Sequence, residues 1–260
     1  MPCAGEQRYP ARHPLPDSSS IETSSTRVEL LPMIIDFSIP TITNNQSSFV
    51  GYWGRQLFIG SLSDSPIVNS LASTYVRLTF SAFQDYNEAA IHFRDYFNTS
   101  SAIKLSVYYK SISRYESCIT NMHLAIRSFS RLRRHKDLPE KARKTINEPK
   151  PSFVNSRISD RILGLRNSIQ HIEERLADGE FDKELPFFIK PTGDEIPYDD
   201  GINKNQTKLT IDRVKILDNE IYFHEIATWI EEMIQYVDKI SGLMPSQVTS
   251  SGSASISSAG

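Results

Sequence analysis

The chain has 260 residues, a formal net charge of −2 and 39% hydrophobic residues, with 13 Phe and 11 Tyr. Such a balance excludes an overall basic coat, so any nucleic-acid contact must come from a local patch, while the apolar content suffices for a real core. Cys3 and Cys118 are too few for a disulfide framework, the first residues carry no apolar leader, and no apolar run approaches a membrane span, so a soluble cytoplasmic protein with no membrane partner is expected.

Residues 1–27 are rich in Pro, Ser and Thr and read as a disordered tail, as does the low-complexity end, 246–260. Residues 28–63 hold short apolar runs, MIIDFSI and FVGYWGRQLFIGSL, broken by Pro32, Pro40, Gly51, Gly54 and Gly60. Those breaks predict an extended, β-like segment packed on the main body, which spans 64–245. Asp64-Ser65-Pro66 is a helix start, and the apolar pattern runs on to about Phe97 through Leu71, Tyr75, Leu78, Ala82 and Phe83. A second helix is marked by Leu105, Tyr108, Ile112, Tyr115, Ile119, Met122, Ile126 and Phe129, a heptad seam suited to a bundle core. A third carries Ile158, Ile162, Leu165, Ile169, Ile172 and Leu176 and stops near Gly179. The period then changes over about 184–216, where Leu185-Pro-Phe-Phe-Ile-Lys-Pro and TKLTIDRVKI predict a small β-hairpin excursion. A last helix is expected from about Asn219 to Ile240, closed by Gly242 and Pro245. The fold class expected is mainly α, an antiparallel bundle of four or more helices with this β excursion and the extended N-terminal segment.

Arg166-Asn167-Ser168-Ile169-Gln170-His171 lies in the third helix. It combines a fixed positive charge for a phosphate with a proton-transfer group that titrates near neutrality. At about 100° per residue, Arg166 and His171 sit roughly 140° apart, flanking the buried seam rather than sharing a face. Asn167 and His171 do share a strip, which Glu174 continues. Two such helices meeting at a two-fold axis would bring both pairs into one cleft.

Arg-Asn-x-x-x-His on the penultimate long helix of an α-bundle resembles the HEPN superfamily, whose hallmark is Arg, four to six residues, then His. Arg166, Asn167 and His171 match by motif, and the helix order over about 66–242 matches in outline. The resemblance implies a metal-independent, cofactor-free endoribonuclease with Arg166, Asn167 and His171 as catalytic residues. It also implies RNA as substrate, a homodimer, and a toxin–antitoxin or anti-phage role with an antitoxin or defence partner. The chemistry of the residues agrees with it. The RNA 2′-OH attacks the adjacent phosphorus, an imidazole serves as base or acid, and a guanidinium holds the non-bridging oxygens.

The competing reading is a non-catalytic helical interaction protein that oligomerises through its heptad seams, with Arg166 paired to Glu173 or Asp160 on the surface. A basic stretch from Arg131 to Lys144 either tracks an RNA backbone or merely closes a helix and its loop. Glu116, Asn121 and His123 interrupt the second helix near its seam; the family resemblance allows Glu116 or Asn121 as a polar residue near the catalytic pair, and the default for each is an exposed or locally satisfied polar group. His92, His135 and His224 lack neighbours at metal-ligand spacing, and no glycine-rich phosphate loop is present, so no metal and no nucleotide cofactor is expected.

Overall fold

Two long helices, α2 (Pro66–Asn98) and α3 (Leu105–Leu132), form the centre of the fold, as the apolar periodicity of each dictates. The structure, a computed structural model, describes residues 33–43, 46–98, 105–171, 174, 189–199, 206–217 and 219–245. Both tails read from the sequence lie outside the described residues. Three hydrogen bonds fix the sense of the helix pair. Ser128 Oγ donates to the Leu71 carbonyl (2.9 Å), Asn121 Nδ2 to Asp85 (2.9 Å) and Ser111 Oγ to the Ala89 carbonyl (2.8 Å). Residue numbers fall on one helix as they rise on the other, so the pair is antiparallel. The start of α2 rests on Pro66 in its first turn and on Asn69, whose side chain accepts from Ser63 N (3.2 Å) and donates to Ser63 O (2.6 Å).

The last helix, α6 (Phe223–Leu243; α4 and α5 are placed below), runs antiparallel to α2. Tyr75 Oη donates to the Met233 carbonyl (2.7 Å), and Tyr86 Oη lies 3.3 Å from that of Phe223. Where these helices meet, Tyr75, Phe129, Phe153 and Tyr236 form one aromatic cluster, with Phe129 edge-on to both Phe153 and Tyr236. Each such ring contributes about 1.5–3 kcal/mol by burial, and each edge-to-face pair about 0.5–1.5 kcal/mol more. The seam positions Tyr115, Ile119, Met122, Ile126 and Phe129 are all buried within the chain.

The segment expected to be extended over 28–63 is only partly so. Met33–Phe37 forms strand β1, but Gln46–Phe58 is a helix, α1. Gly51 and Gly54 do not break it, because Phe49 and Tyr52 lie one turn apart on a face buried by the rest of the chain. Packing outweighs the roughly 1 kcal/mol that each glycine costs. Helix α1 also meets α6, where Arg55 Nη1 donates to the Ser241 carbonyl (2.9 Å).

Helix α4 (Glu140–Asn147) and a single 3-10 turn (Ser152–Val154) occupy the basic stretch and the turn after it, which the sequence suggested as loop. Helix α5 (Ser156–Gln170) begins at Asn155, whose side chain accepts from Arg157 N (3.1 Å). Of the predicted continuation to Gly179, Glu174 is described, and Ile172, Leu176 and Gly179 lie outside the described residues.

The expected hairpin is part of a larger mixed sheet. Strand β2 (Ile189–Tyr198) pairs antiparallel along the whole of β3 (Gln206–Ile216), and β1 pairs parallel with Thr207–Ile211 of β3. Strand β4 (Asn219–Tyr222) pairs antiparallel with the end of β3. A bulge between Thr192 and Gly193 brings the backbone so close that a Cβ on Gly193 would lie 1.6 Å from the Thr210 carbonyl oxygen. The last helix thus starts at Phe223 rather than at about Asn219. Ile221 turns inward from the sheet, and Glu225 accepts from Tyr222 N (3.1 Å) to close the helix entrance. The whole is mainly helical, with six α-helices and this four-stranded mixed sheet among the described residues.

Candidate functional site

Helix α5 is pinned to the body by Arg161, which pairs with Glu225, and by Asn219 Nδ2, which donates to Ser168 Oγ (3.0 Å). Ile162, Leu165 and Ser168 face inward, leaving Arg166 and Asn167 half-buried at the margin of the seam. That margin is where the sequence put them. Arg166 Nη1 donates to Asn167 Oδ1 (3.3 Å), and Arg166 Nε is buried with no partner among the described residues. Asn167 therefore positions the arginine rather than the histidine. Glu173, one of the two surface partners considered for Arg166, falls outside the described side chains.

His171 closes the described part of α5, its backbone N donating to Asn167 O (2.9 Å). Its imidazole is 53% exposed, and Nδ1 lies 2.7 Å from Glu174 Oε2. The i, i+3 strip expected from spacing is thus present as a contact. A carboxylate that accepts from Nδ1–H favours the tautomer in which Nε2 is the unprotonated ring nitrogen. Within one chain the structure brings the Arg166 side chain to Asn167 and the His171 side chain to Glu174, and among the described residues only the backbone bond from His171 N to Asn167 O joins the two pairs.

What Arg166 does approach is α3. Burial, and then the charges of Arg166 and Arg127, hold the His123 imidazole below its ordinary pKa. His123 and Arg127 are one turn apart on α3, and Arg131 follows at the same spacing. Across from them on α2 stands Arg77. Arg77, Arg127 and Arg131 rim a groove of about 440 Å³ whose remaining wall is Leu71, Thr74, Leu78, Leu124 and Ser128. Sequence reasoning missed this grouping. Its only local trace was the i, i+4 arginine pair on α3, because the third member comes from a different helix. Of the basic stretch, Arg131 reaches the groove, whereas Arg143 caps the α3–α4 connection by donating to the carbonyls of His135 (3.1 Å) and Lys136 (3.1 Å).

The other singled-out residues have structural partners or surroundings. Asn121 is bound to Asp85, and burial raises the Glu116 carboxyl above its ordinary pKa. The Cys118 thiol is fully buried and pushed well up by that burial, which keeps it protonated and inert. Among the described residues no three His, Cys, Asp or Glu side chains cluster as a metal site, and no helix is long and apolar enough to cross a membrane. The chain matches no protein-family model, no curated protein and no solved structure.

Proposed function

We propose that this chain is an RNA-cleaving enzyme of HEPN type, with Arg166, Asn167 and His171 at the end of α5 as its working residues and a dimer as its active form. The observation that carries the reading is the His171–Glu174 contact of 2.7 Å on a half-exposed imidazole beside the Arg166–Asn167 pair. A carboxylate-oriented imidazole open to solvent is what proton transfer at a 2′-OH or a leaving 5′-oxygen requires. The 2′-oxygen attacks phosphorus as His171 takes its proton. The P–O5′ bond breaks as the leaving oxygen is protonated by water or by His171 of the partner subunit, and the product is a 2′,3′-cyclic phosphate with a free 5′-OH. Arg166, steadied by Asn167, holds the non-bridging oxygens where charge builds. Since no hydrogen bond joins the Arg166 and His171 side chains among the described residues, a two-fold pairing of α5 ends offers the simplest way to aim both at one phosphodiester. A toxin or defence role with an antitoxin-like partner stays part of this proposal through the family resemblance.

The test is cleavage of total RNA in the presence of EDTA. Arg166→Ala and His171→Ala are each expected to lower the rate about 10²-fold or more, the usual contribution of such groups, with unchanged thermal unfolding. A strict metal requirement, or cleavage indifferent to both substitutions, would remove the proposal.

One observation favours the second reading, a helical interaction protein. Along α1, Val50, Leu57 and Phe58 are 70–79% exposed, and with Phe49, Trp53 and Phe80 they border a groove of about 410 Å³. Apolar surface of this kind marks contact with another molecule. Under that reading, Leu57→Glu disrupts self-association or partner capture, measured by light scattering, while RNA is untouched by the wild-type chain.

A further inference from the structure

Several arginines of the fold are committed, while Arg133, Arg134 and Arg157 have no side-chain partner among the described residues but do not line the α2–α3 groove. Arg55 caps α6, Arg94 donates to the Ile39 carbonyl, Arg114 pairs with Asp85, Arg161 pairs with Glu225, and Arg213 lies among Asp194, Asp212 and Glu220. Arg77, Arg127 and Arg131 are the contrast. All three are exposed, all three rim the α2–α3 groove, and none has a carboxylate or hydrogen-bond partner among the described residues. Three like charges gathered round one groove repel one another, an arrangement that lowers its energy when an anion enters. The wall between them is formed by Leu71, Leu78 and Leu124 with Thr74, and the Ser128 hydroxyl there is already spent on the Leu71 carbonyl (2.9 Å).

From this we infer that the α2–α3 groove binds the sugar–phosphate backbone of single-stranded RNA, with Arg77, Arg127 and Arg131 on successive phosphates and the leucine wall against sugar or base. The inference deepens the nuclease reading by locating the substrate's backbone, but it is tested by binding alone. Three features favour a strand over a lone phosphate group. The groove, at about 440 Å³, is larger than one phosphate fills. Arg127 and Arg131 are staggered by roughly 6 Å along α3, so they serve neighbouring anions better than one. Arg127 also adjoins His123, the residue that in turn feels Arg166, so the cationic line runs from the groove toward the end of α5. No side chain in the wall offers an aromatic face or a free amide, so the groove reads the backbone and not the base order.

The experiment measures anisotropy of a labelled single-stranded RNA of about 12 nucleotides in EDTA, on the full chain carrying His171→Ala so that the probe stays whole. Two triple variants, each removing three positive charges, are compared. One is Arg77→Gln with Arg127→Gln and Arg131→Gln; the other is Lys141→Gln with Lys144→Gln and Lys150→Gln on the far side of the α3–α4 turn. The groove triple is expected to weaken binding at least about tenfold and to flatten the logarithmic salt slope by about 2, or 0.7 per lost contact on a single strand. The control triple is expected to change affinity less than twofold. Equal losses in both triples, or none in the groove triple, overturn the inference. A phosphoserine peptide bound more tightly than the RNA overturns the choice of ligand. Should the groove triple unfold, Arg77→Gln and Arg127→Gln are read singly, each expected to remove about 0.7 of slope. Unchanged binding by the groove triple, with metal-free cleavage of total RNA by the wild-type chain, would sink the groove and spare the nuclease. Intact groove binding without any cleavage would do the reverse.

Discussion

Along the single interface between α2 and α3 lie two charge clusters about 12 Å apart on α2, one closed and one open. In the closed one the buried Asp85 carboxylate is met by Arg114 Nη1 (2.8 Å) and Asn121 Nδ2 (2.9 Å), and Arg114 reaches Glu88 (2.9 Å) as well. In the open one Arg77, Arg127 and Arg131 face a groove with no carboxylate among the described residues. The same helix pair therefore uses charge in two ways. Matched charges set the register of two helices, whereas unmatched charges of one sign raise the potential of a surface and draw in a partner.

The contrast breaks most sharply at Asp85. Asp85→Ala leaves Asn121 without its acceptor and Arg114 with Glu88 alone, so it is expected to cost about 1–2 kcal/mol, read as the midpoint shift in urea unfolding. Arg77→Ala, on the open side, is expected to change stability by less than about 0.5 kcal/mol in the same measurement. A large loss there would mean that the groove arginines hold the fold together after all.

Smaller effects sharpen the picture on either side. Burial holds the Glu116 carboxyl above its ordinary pKa, so the folded state favours the protonated form. The stability that this confers is full below about pH 4.5 and is lost as pH rises through the folded value. Glu116→Gln should therefore match wild type in acid and exceed it at neutral pH in thermal unfolding. His123 has the opposite sign of shift. Its pKa is lowered, first by burial and then by Arg166 and Arg127, so its stability contribution is present above about pH 6.5 and drains away as pH falls toward the folded value. The smallest expected effect is electrostatic. Arg127→Gln should move the His123 titration upward in an NMR pH series, and no movement would mean that the groove and the α5 margin are not electrically linked.

Periodicity made α2 and α3 legible because both faces of each helix keep one pattern for many turns, and Pro66 marked a start that Asn69 completes. Helix α1 was not legible. Its two glycines and its aromatic run look extended until Phe49 and Tyr52 find the rest of the core, which is information held by other elements. Asn219–Tyr222 failed for the related reason that four residues, with one buried apolar position, become a strand only because β3 presents an edge to pair with. The parallel match of β1 to β3 joins residues far apart in the chain, Met33 with Thr207 and Phe37 with Ile211, and no local signal carries it. In the candidate site the local strip His171–Glu174 could be read from spacing, as could the place of Arg166 beside the seam. The neighbourhood of Arg166 and His123, and the convergence of Arg77 on Arg127 and Arg131, depend on how three helices pack, and sequence separation hides them.

The central claim, that a guanidinium and an imidazole from α5 act together across a two-fold axis, is tested most directly by mixing subunits. Arg166→Ala and His171→Ala chains, each inactive alone, are combined under exchange and assayed on a defined RNA in EDTA. If Arg166 of one copy works with His171 of the partner subunit, random pairing makes half the dimers mixed, each with one intact site of two, and about a quarter of wild-type cleavage returns. Activity that stays absent in the mixture, while wild-type chains treated the same way cut the RNA, would contradict it.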